Sequence, residues 1–505
     1  MKVKGKRTQT NGNKIVARIA VMILQDAKLQ ESGTLNWLHL FMKWRYAKMI
    51  PVDRYRIKKL MEREKREFAE THPKSKAIFE KAKSSLLVGV PMNWMIRWAG
   101  PYPIFLKEAR GAYVTDADDH RYLDLCLGDT GAMFGHSPEP VVDAVIRQVR
   151  RGITMMLPTE DAIWVGEELE RRFGLPYWQI ALTATDANRF SVRIARDITK
   201  RRKILVFNGC YHGSVDEALI SLKNGMVIPI EGNIGPPVDP AITTRAVEFN
   251  DLNALEAALA HKDVACVLCE PAMTNYGIIL PESGYHDALR DLTQRFGTLL
   301  IIDETHTICC GPGGYTAVYN LKPDVVTLGK PLGGGIPVAA YGVSKEVADR
   351  ALEKIKAGIG ESGIGGTLSG NALSVAAMRA TLEHVITKEA FERMIPLANR
   401  LAKGIEEIIK AKELPWYVVR LGARVEYGFG ATSPKNGRES KDMEDLELDE
   451  LIHLYALNRG ILLTPFHNMM LISPYITAKD VDRYINVFRE CVEELATPSC
   501  QRAPE

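Results

Sequence analysis

Between residues 180 and 343 the chain alternates short apolar runs with segments of helical spacing. This alternation limits the fold more than any other feature of the sequence. The runs are Ile180–Thr183, Ile204–Phe207, Val264–Cys269, Leu299–Asp303, Val325–Leu328 and Ala339–Val343. Helical spacing is found over 188–199, 252–260, 284–296 and 369–385. Short continuous apolar runs predict strands buried on both faces, and the helices between them predict crossovers. The expected class is therefore α/β, a mostly parallel sheet with helices on both faces.

Two of these runs end in ionisable residues. Leu299–Ile302 stops in Asp303-Glu304, and Val325–Leu328 stops in Gly329-Lys330 ahead of a Pro/Gly-rich turn. Either residue alone would be explained by a strand cap or a loop lysine. Together, at adjacent strand ends, they predict a site along one edge of the sheet.

The spacing and residue types resemble fold type I pyridoxal-phosphate (PLP) enzymes, and most closely class III aminotransferases. The nearest branch is that of glutamate-1-semialdehyde aminomutase and β-amino-acid aminotransferases. The resemblance runs from about Pro101 to Leu495. It implies a large domain with a sheet of the seven-stranded type and a smaller α+β domain. It also implies that Lys330 forms the Schiff base with PLP and that Asp303 pairs with the pyridine nitrogen. A carboxylate there keeps the nitrogen protonated, because an opposite charge at close range favours the charged form. The lysine must supply a neutral amine, which burial or nearby cations promote.

The same resemblance assigns further cofactor contacts. Ala184 and Thr185, within Thr183–Asn188, stand where the family grips the phosphate with backbone N–H groups at a helix start; Ala184 replaces the usual Gly. Tyr211 would stack on the ring with His212 nearby. Asn275 would approach the 3′-oxygen, and Glu270 would organise its loop, with Asn188 or Thr185 as partner. Thr305 would support the ring from below. Thr367, in Gly366–Asn371, would reach the phosphate of a neighbouring subunit, which implies a homodimer with shared sites. His306 is unusual at its position and would tune the cofactor or, as the favoured reading, bond a loop.

The arginines that usually hold a substrate carboxylate in this family are missing from their places. Arg97 and Arg424 are candidate replacements, each also explicable as structural. Met92, Trp94, Met95 and Trp98 lie close together and would suit an apolar or aromatic substrate, or simply a core. The reading is an aminotransferase that moves an amino group from an amine or β-amino acid to a keto acid such as pyruvate or 2-oxoglutarate. The alternatives are an aminomutase, a racemase or a decarboxylase on the same scaffold, since fold alone does not decide chemistry.

At 505 residues the chain is long enough for several domains. The expected division is a basic arm (1–52), a helix with part of the small domain (53–150), the large PLP-binding domain (151–385) and the C-terminal small domain (386–505). The first 50 residues hold ten Lys/Arg against Asp26 and Glu31. Residues 53–86 read as a solvent-exposed helix with i,i+4 charge pairs. Residues 111–115 and 121–125 read as a hairpin, and Thr432–Asp445 as an exposed loop. A net charge of +3 gives no case for nucleic acid, and no apolar run is long enough for a membrane span. The eight cysteines are scattered. Cys266 and Cys269 form a CxxC without a matching pair, so no metal is expected and a reduced, cytoplasmic protein fits.

Overall fold

The computed structural model describes residues 52–356 and 362–496. Nearly all of the expected basic arm lies outside the described residues.

The N-terminal part begins with two helices, α1 (Arg54–Thr71) and α2 (Pro73–Ala82). The expected single exposed helix is broken at His72-Pro73, because proline cannot continue the α1 hydrogen-bond ladder. Nor is α1 merely a charged surface. Its inner face buries Ile57, Leu60, Glu64 and Phe68. Glu64 is wholly buried and accepts from Asn458 Nδ2 (2.8 Å) and Arg459 Nη1 (3.0 Å), which ties α1 to the C-terminal region. Three antiparallel strands follow: β1 (Leu106–Arg110), β2 (Tyr113–Asp116) and β3 (Arg121–Asp124). The last two are the expected hairpin.

The large sheet has seven strands. They are β4 (Tyr177–Ala181), β5 (Lys203–Phe207), β6 (Thr244–Val247), β7 (Val264–Cys269), β8 (Leu299–Asp303), β9 (Val325–Leu328) and β10 (Ala339–Val343). Their order is β4-β10-β9-β8-β7-β5-β6. Only β10 runs against its neighbours. All residues of β7, β8 and β9 are buried, as their unbroken apolar runs require. β4 begins earlier than expected, and Thr183 is not in a strand: it is the N-cap of α3 (Ala184–Thr199), its side chain accepting from Asp186 N. The edge strand β6 was not expected. Its sequence TRAV buries only Thr244 and Val247 and carries no apolar run.

The C-terminal region forms a second, three-stranded sheet of β11 (Tyr417–Leu421), β12 (Arg424–Gly428) and β14 (Met469–Leu471). Between the last two, β13 (Ile461–Leu462) leaves to pair in parallel with β3. The supposed loop Thr432–Asp445 contains a helix, Gly437–Asp442, capped by Asn436. It docks closely on the large domain, for a Cβ at Gly437 would lie 2.0 Å from Asn208 O. Cys266 and Cys269 lie inside β7 as free, buried thiols. Burial raises the thiol of Cys266 to about 12 and that of Cys269 well above its ordinary range, which leaves no reactive thiolate. Among the described residues, no helix is long and apolar enough to cross a membrane.

Candidate active site

Parallel strands β8 and β9 pair with Asp303 opposite Thr327, so Asp303 and Lys330 leave the same sheet edge side by side. Carboxyl ends of parallel strands are where α/β folds place ligands. Asp303 is buried and fully engaged. Oδ1 accepts from Thr305 N (3.0 Å), and Oδ2 accepts from Asn188 Nδ2 (2.8 Å) and His212 Nδ1 (2.9 Å). Thr327 donates to Asn188 Oδ1 (2.6 Å), which fixes the amide orientation. Burial works against the Asp303 charge. The hydrogen bonds from His212, Thr305 and Asn188 overcome it and hold the carboxyl at about 2. Burial likewise opposes a cation at His212, but the Cys210 sulfur and the Asp303 carboxylate outweigh it and push its pKa up to about 10. Asp303 is therefore an anion throughout the physiological range. Next to it, Glu304 accepts from Thr307 Oγ1 (2.5 Å) and Tyr315 N (3.0 Å) and serves the loop alone.

Lys330 stands on a left-handed backbone (φ 47°), uncommon for a side-chain-bearing residue. Its Nζ lies 2.7 Å from Asp129 Oδ2 and 2.7 Å from His306 Nε2. Asp129 belongs to a run of four consecutive left-handed residues: Leu127 (45°), Gly128 (59°), Asp129 (50°) and Thr130 (82°). Three of these pay the steric cost of a Cβ, of order 1–3 kcal/mol each, which persists only where surroundings impose it. The run delivers Asp129 to Lys330 and Thr130 to His306, whose Nδ1 meets Thr130 Oγ1 (2.9 Å). Arg424, on β12, donates to the same Nδ1 (3.0 Å) and to Thr274 O (3.0 Å). An Arg donor at Nδ1 favours the tautomer with its proton on Nε2, the nitrogen that faces Nζ. Burial opposes the Asp129 charge, but nearby Lys330 holds the carboxyl well below its usual range. Burial and the Lys330 charge push His306 well below its own.

His306 therefore bonds a loop, at Thr130, and touches the lysine as well. Arg424 is buried and donates to His306 and to Thr274 O, with its Nε left unpaired. Asp129 was not expected at all; a Gly-Asp-Thr-Gly turn was its only signal in the sequence.

The remaining candidates fall into two groups. Ala184 opens α3 against Gly329, where a Cβ would lie 3.2 Å from Ala184 N. Thr185 Oγ1 accepts from Ser214 N (3.2 Å). Tyr211 is half-exposed, whereas His212 is buried beneath it in sequence. Asn275 Nδ2 donates to Gly209 O (3.3 Å), bringing its loop to the Tyr211 turn. Glu270 does not bond Asn188 or Thr185; its carboxylate accepts from the Thr274 hydroxyl and from Thr274 N (3.4 Å). Trp98 packs against a core that joins Phe68 and Tyr102 to Leu454 and Leu457. Arg97 lies over the Phe466 ring (5.9 Å), with Trp94 edge-on to the same ring (6.0 Å). Thr367 is exposed in a turn.

Two expectations follow from this packing. Gly213 is left-handed (φ 73°), and a Cβ there would lie 2.0 Å from Thr185 Oγ1 and 3.1 Å from its Cα. Gly213→Ala should displace the start of α3 and weaken PLP binding to the apoenzyme by about 10-fold or more; an unchanged dissociation constant would place the phosphate elsewhere. Burial also pushes the pKa of Glu270 up to about 7, against His212 and the Thr274 hydrogen bond. A carboxyl raised on folding stabilises the protein below its unfolded value of about 4.3, and this contribution is lost as pH rises through about 7. Between about pH 5 and pH 8 Glu270→Gln should flatten the fall in stability by on the order of 1–3 kcal/mol. Parallel melting-temperature profiles for the two proteins would contradict this.

Four buried polar atoms in this region have no protein partner: Asp129 Oδ1, His212 Nε2, Thr305 Oγ1 and Arg424 Nε. Buried polar atoms are normally paired, so their concentration here marks a place shaped for a polar ligand. An anion and an amine at the same sheet edge, with a helix N-terminus against Gly329, fit a phosphorylated pyridine aldehyde. A separate cavity of about 1250 Å³ is lined by Trp178, Arg193, Arg202 and Tyr341 and lacks these groups.

A family model described as Aminotransferase class-III matches residues 94–492. A glutamate-1-semialdehyde 2,1-aminomutase of Chloroflexus aggregans is 32% identical over 439 residues, 84% of this chain and 99% of that protein. Among solved structures, a glutamate-1-semialdehyde aminomutase from Pseudomonas aeruginosa PAO1 is 50% identical with a TM-score of 0.87, covering 88% of this chain and 99% of the other. An omega-transaminase from Sphaerobacter thermophilus is 27% identical with a TM-score of 0.78, covering 84% and 98%.

Proposed function

From the premise that this chain belongs to the class III aminotransferases, PLP-dependent enzymes, we propose that it transfers an amino group from a primary amine or β-amino acid to a keto acid such as pyruvate or 2-oxoglutarate. The observation that carries this reading is the Asp129 carboxylate, 2.7 Å from Lys330 Nζ. An α-amino acid bears its own carboxylate on the reacting carbon, so Asp129 would repel it there. A β-amino acid carries that group one carbon farther away, and an amine lacks it. Arg97 supports the β-amino acid. Among the described residues it has no ion-pair partner, and it stands beside the aromatic rings of Trp94 and Phe466.

Bound PLP supplies an electron sink for the carbanion at the reacting carbon. Asp303 holds a proton on the ring nitrogen. Lys330 Nζ takes the proton from the amine-bearing carbon and returns it on the acceptor half-reaction. Asp129 receives the incoming ammonium and keeps Nζ in place. His306, oriented by Arg424, meets Nζ at 2.7 Å and fixes its position. The N–H groups of Ala184 and Thr185 hold the phosphate, Tyr211 covers the ring, Thr305 supports it and Asn275 meets its 3′-oxygen. Thr367 completes the site of a neighbouring subunit in a homodimer. The small domain combines 53–150 with 386–505, and the enzyme works in the cytoplasm.

A second reading, an aminomutase acting on glutamate-1-semialdehyde, is favoured by the 50% identity with the Pseudomonas protein. That substrate also keeps its carboxylate away from the reacting carbons. The test is a panel of primary amines, β-amino acids and α-amino acids with each keto acid, scored by the amino acid formed, with glutamate-1-semialdehyde assayed alone. Amines or β-amino acids should turn over and α-amino acids lag behind. Isomerisation of the semialdehyde without any donor–acceptor exchange would replace the first reading with the second.

A further inference from the structure

Far along the chain from Lys330, where α1 meets α2, three metal-ligating side chains converge. His72 forms the corner between the helices, Asp116 ends β2, and His120 precedes β3. Their ligand atoms all lie within 4.8 Å of one another. His72 Nε2 is 3.5 Å, and His120 Nδ1 3.2 Å, from Asp116 Oδ2. Ligands bound at 2.0–2.1 Å around a tetrahedral ion stand roughly 3.3–3.4 Å apart, so two of the three edges already have the right length.

The ring of His72 is oriented for this. Its Nδ1 meets Phe68 O (2.8 Å), and the ring stacks on the Phe68 ring at 4.1 Å. A carbonyl accepts only from an N–H, so Nδ1 carries the proton and the Nε2 lone pair faces Asp116. A ligating histidine is typically fixed in this way by a carbonyl behind it. Asp116 Oδ1 accepts from Asp118 N (2.9 Å) and His120 N (2.8 Å), which aims Oδ2 at the two rings.

The cluster is also one positive hydrogen short. The Tyr122 hydroxyl lies 2.7 Å from His72 Nε2 and 2.8 Å from Asp116 Oδ2. Its single proton can serve only one of these acceptors. Given to Asp116, it leaves the Nε2 lone pair facing the phenol oxygen. Only a second proton on His72 or a bound cation closes the network. A cation bound by both lone pairs removes the conflict.

We infer that His72, Asp116 and His120 form a binding site for a divalent transition-metal ion of the zinc type, which fastens the α1–α2 corner to the β2–β3 hairpin. Two imidazoles and one carboxylate select zinc, cobalt or nickel over calcium and magnesium, which prefer oxygen ligands. His120 is the accessible member, its side chain 39% exposed, so the ion enters from that side and a water can fill the fourth position. The hairpin already grips α2, since the Asp118 carboxylate accepts from Lys74 N (2.7 Å) and Ser75 N (2.9 Å). The ion adds a clamp at the other side of the same corner.

The test is a titration of the untagged, chelator-treated, PLP-loaded full chain with Co(II). One equivalent should produce visible d–d bands that zinc abolishes, and zinc should raise the melting temperature in proportion to its logarithmic excess. His120→Ala should weaken Co(II) binding by about 100-fold or more, and so should His120→Gln, which keeps a polar contact to Asp116. Replacing the exposed His384 should change nothing. Absence of bands in the wild type would show that a His72 imidazolium closes the cluster, and would overturn the site. So would bands of equal affinity in both His120 variants.

Discussion

Lys330→Ala should abolish turnover, with a loss on the order of 10⁴-fold or more, and remove the absorbance of the covalently held cofactor. Both effects come from one atom. On the proposed function Nζ is both the covalent anchor for the PLP aldehyde and the base that moves the substrate proton, so its removal would end two functions at once. The protein should remain folded. Ala tolerates the left-handed backbone at this position no worse than Lys does, and the Lys330 side chain is a quarter exposed. Asp129 loses its 2.7 Å partner, but Arg424 and His306 stay close. Steady-state kinetics and absorbance on the same preparation, with a melting curve as control, decide the matter. A variant that turns over within a few-fold of wild type would remove Lys330 from the chemistry.

Asp303→Asn should lower kcat/KM by on the order of 10²- to 10³-fold, as expected when one preorganised charge is lost from a water-poor site. The change is nearly isosteric, yet it cannot be accommodated quietly. Oδ1 accepts from Thr305 N, while Oδ2 accepts from Asn188 and His212. Whichever way an Asn side chain is turned, its NH₂ meets a donor. On the proposed function the ring nitrogen of the cofactor would also lose the anion that keeps it protonated, so the bound chromophore should become sensitive to pH near neutrality. In the wild type it should not be, because Asp303 stays charged down to about 2. An unchanged rate and a flat spectrum in the variant would show that another group protonates the ring.

The juxtaposition of Asp303 and Lys330 was legible in the sequence because one ends, and the other closely follows, a buried and largely apolar strand. The runs ending at Asp303 and Lys330 could only be buried, and burial side by side puts their ends together. What surrounds them was not legible, for physical reasons. Asp129 reaches Lys330 through four left-handed residues, a conformation that residues such as Leu127 and Thr130 do not announce. His306 and Arg424 meet across 118 positions, and nothing in either local sequence records the contact. The edge strand β6 was missed because it buries only two of its four residues. Charge density on α1 suggested solvent, yet Glu64 is buried by partners from the other end of the chain. The His72–Asp116–His120 cluster was hidden in the same way, its members lying on two elements that become neighbours only in the fold.

One measurement tests the central claim most directly. The loaded enzyme is reduced with borohydride, digested and mapped by mass spectrometry. The account predicts a single pyridoxyl group, on Lys330, with Asp303 left unmodified and no label in Lys330→Ala. A label on any other lysine, or none in the wild type, would contradict it.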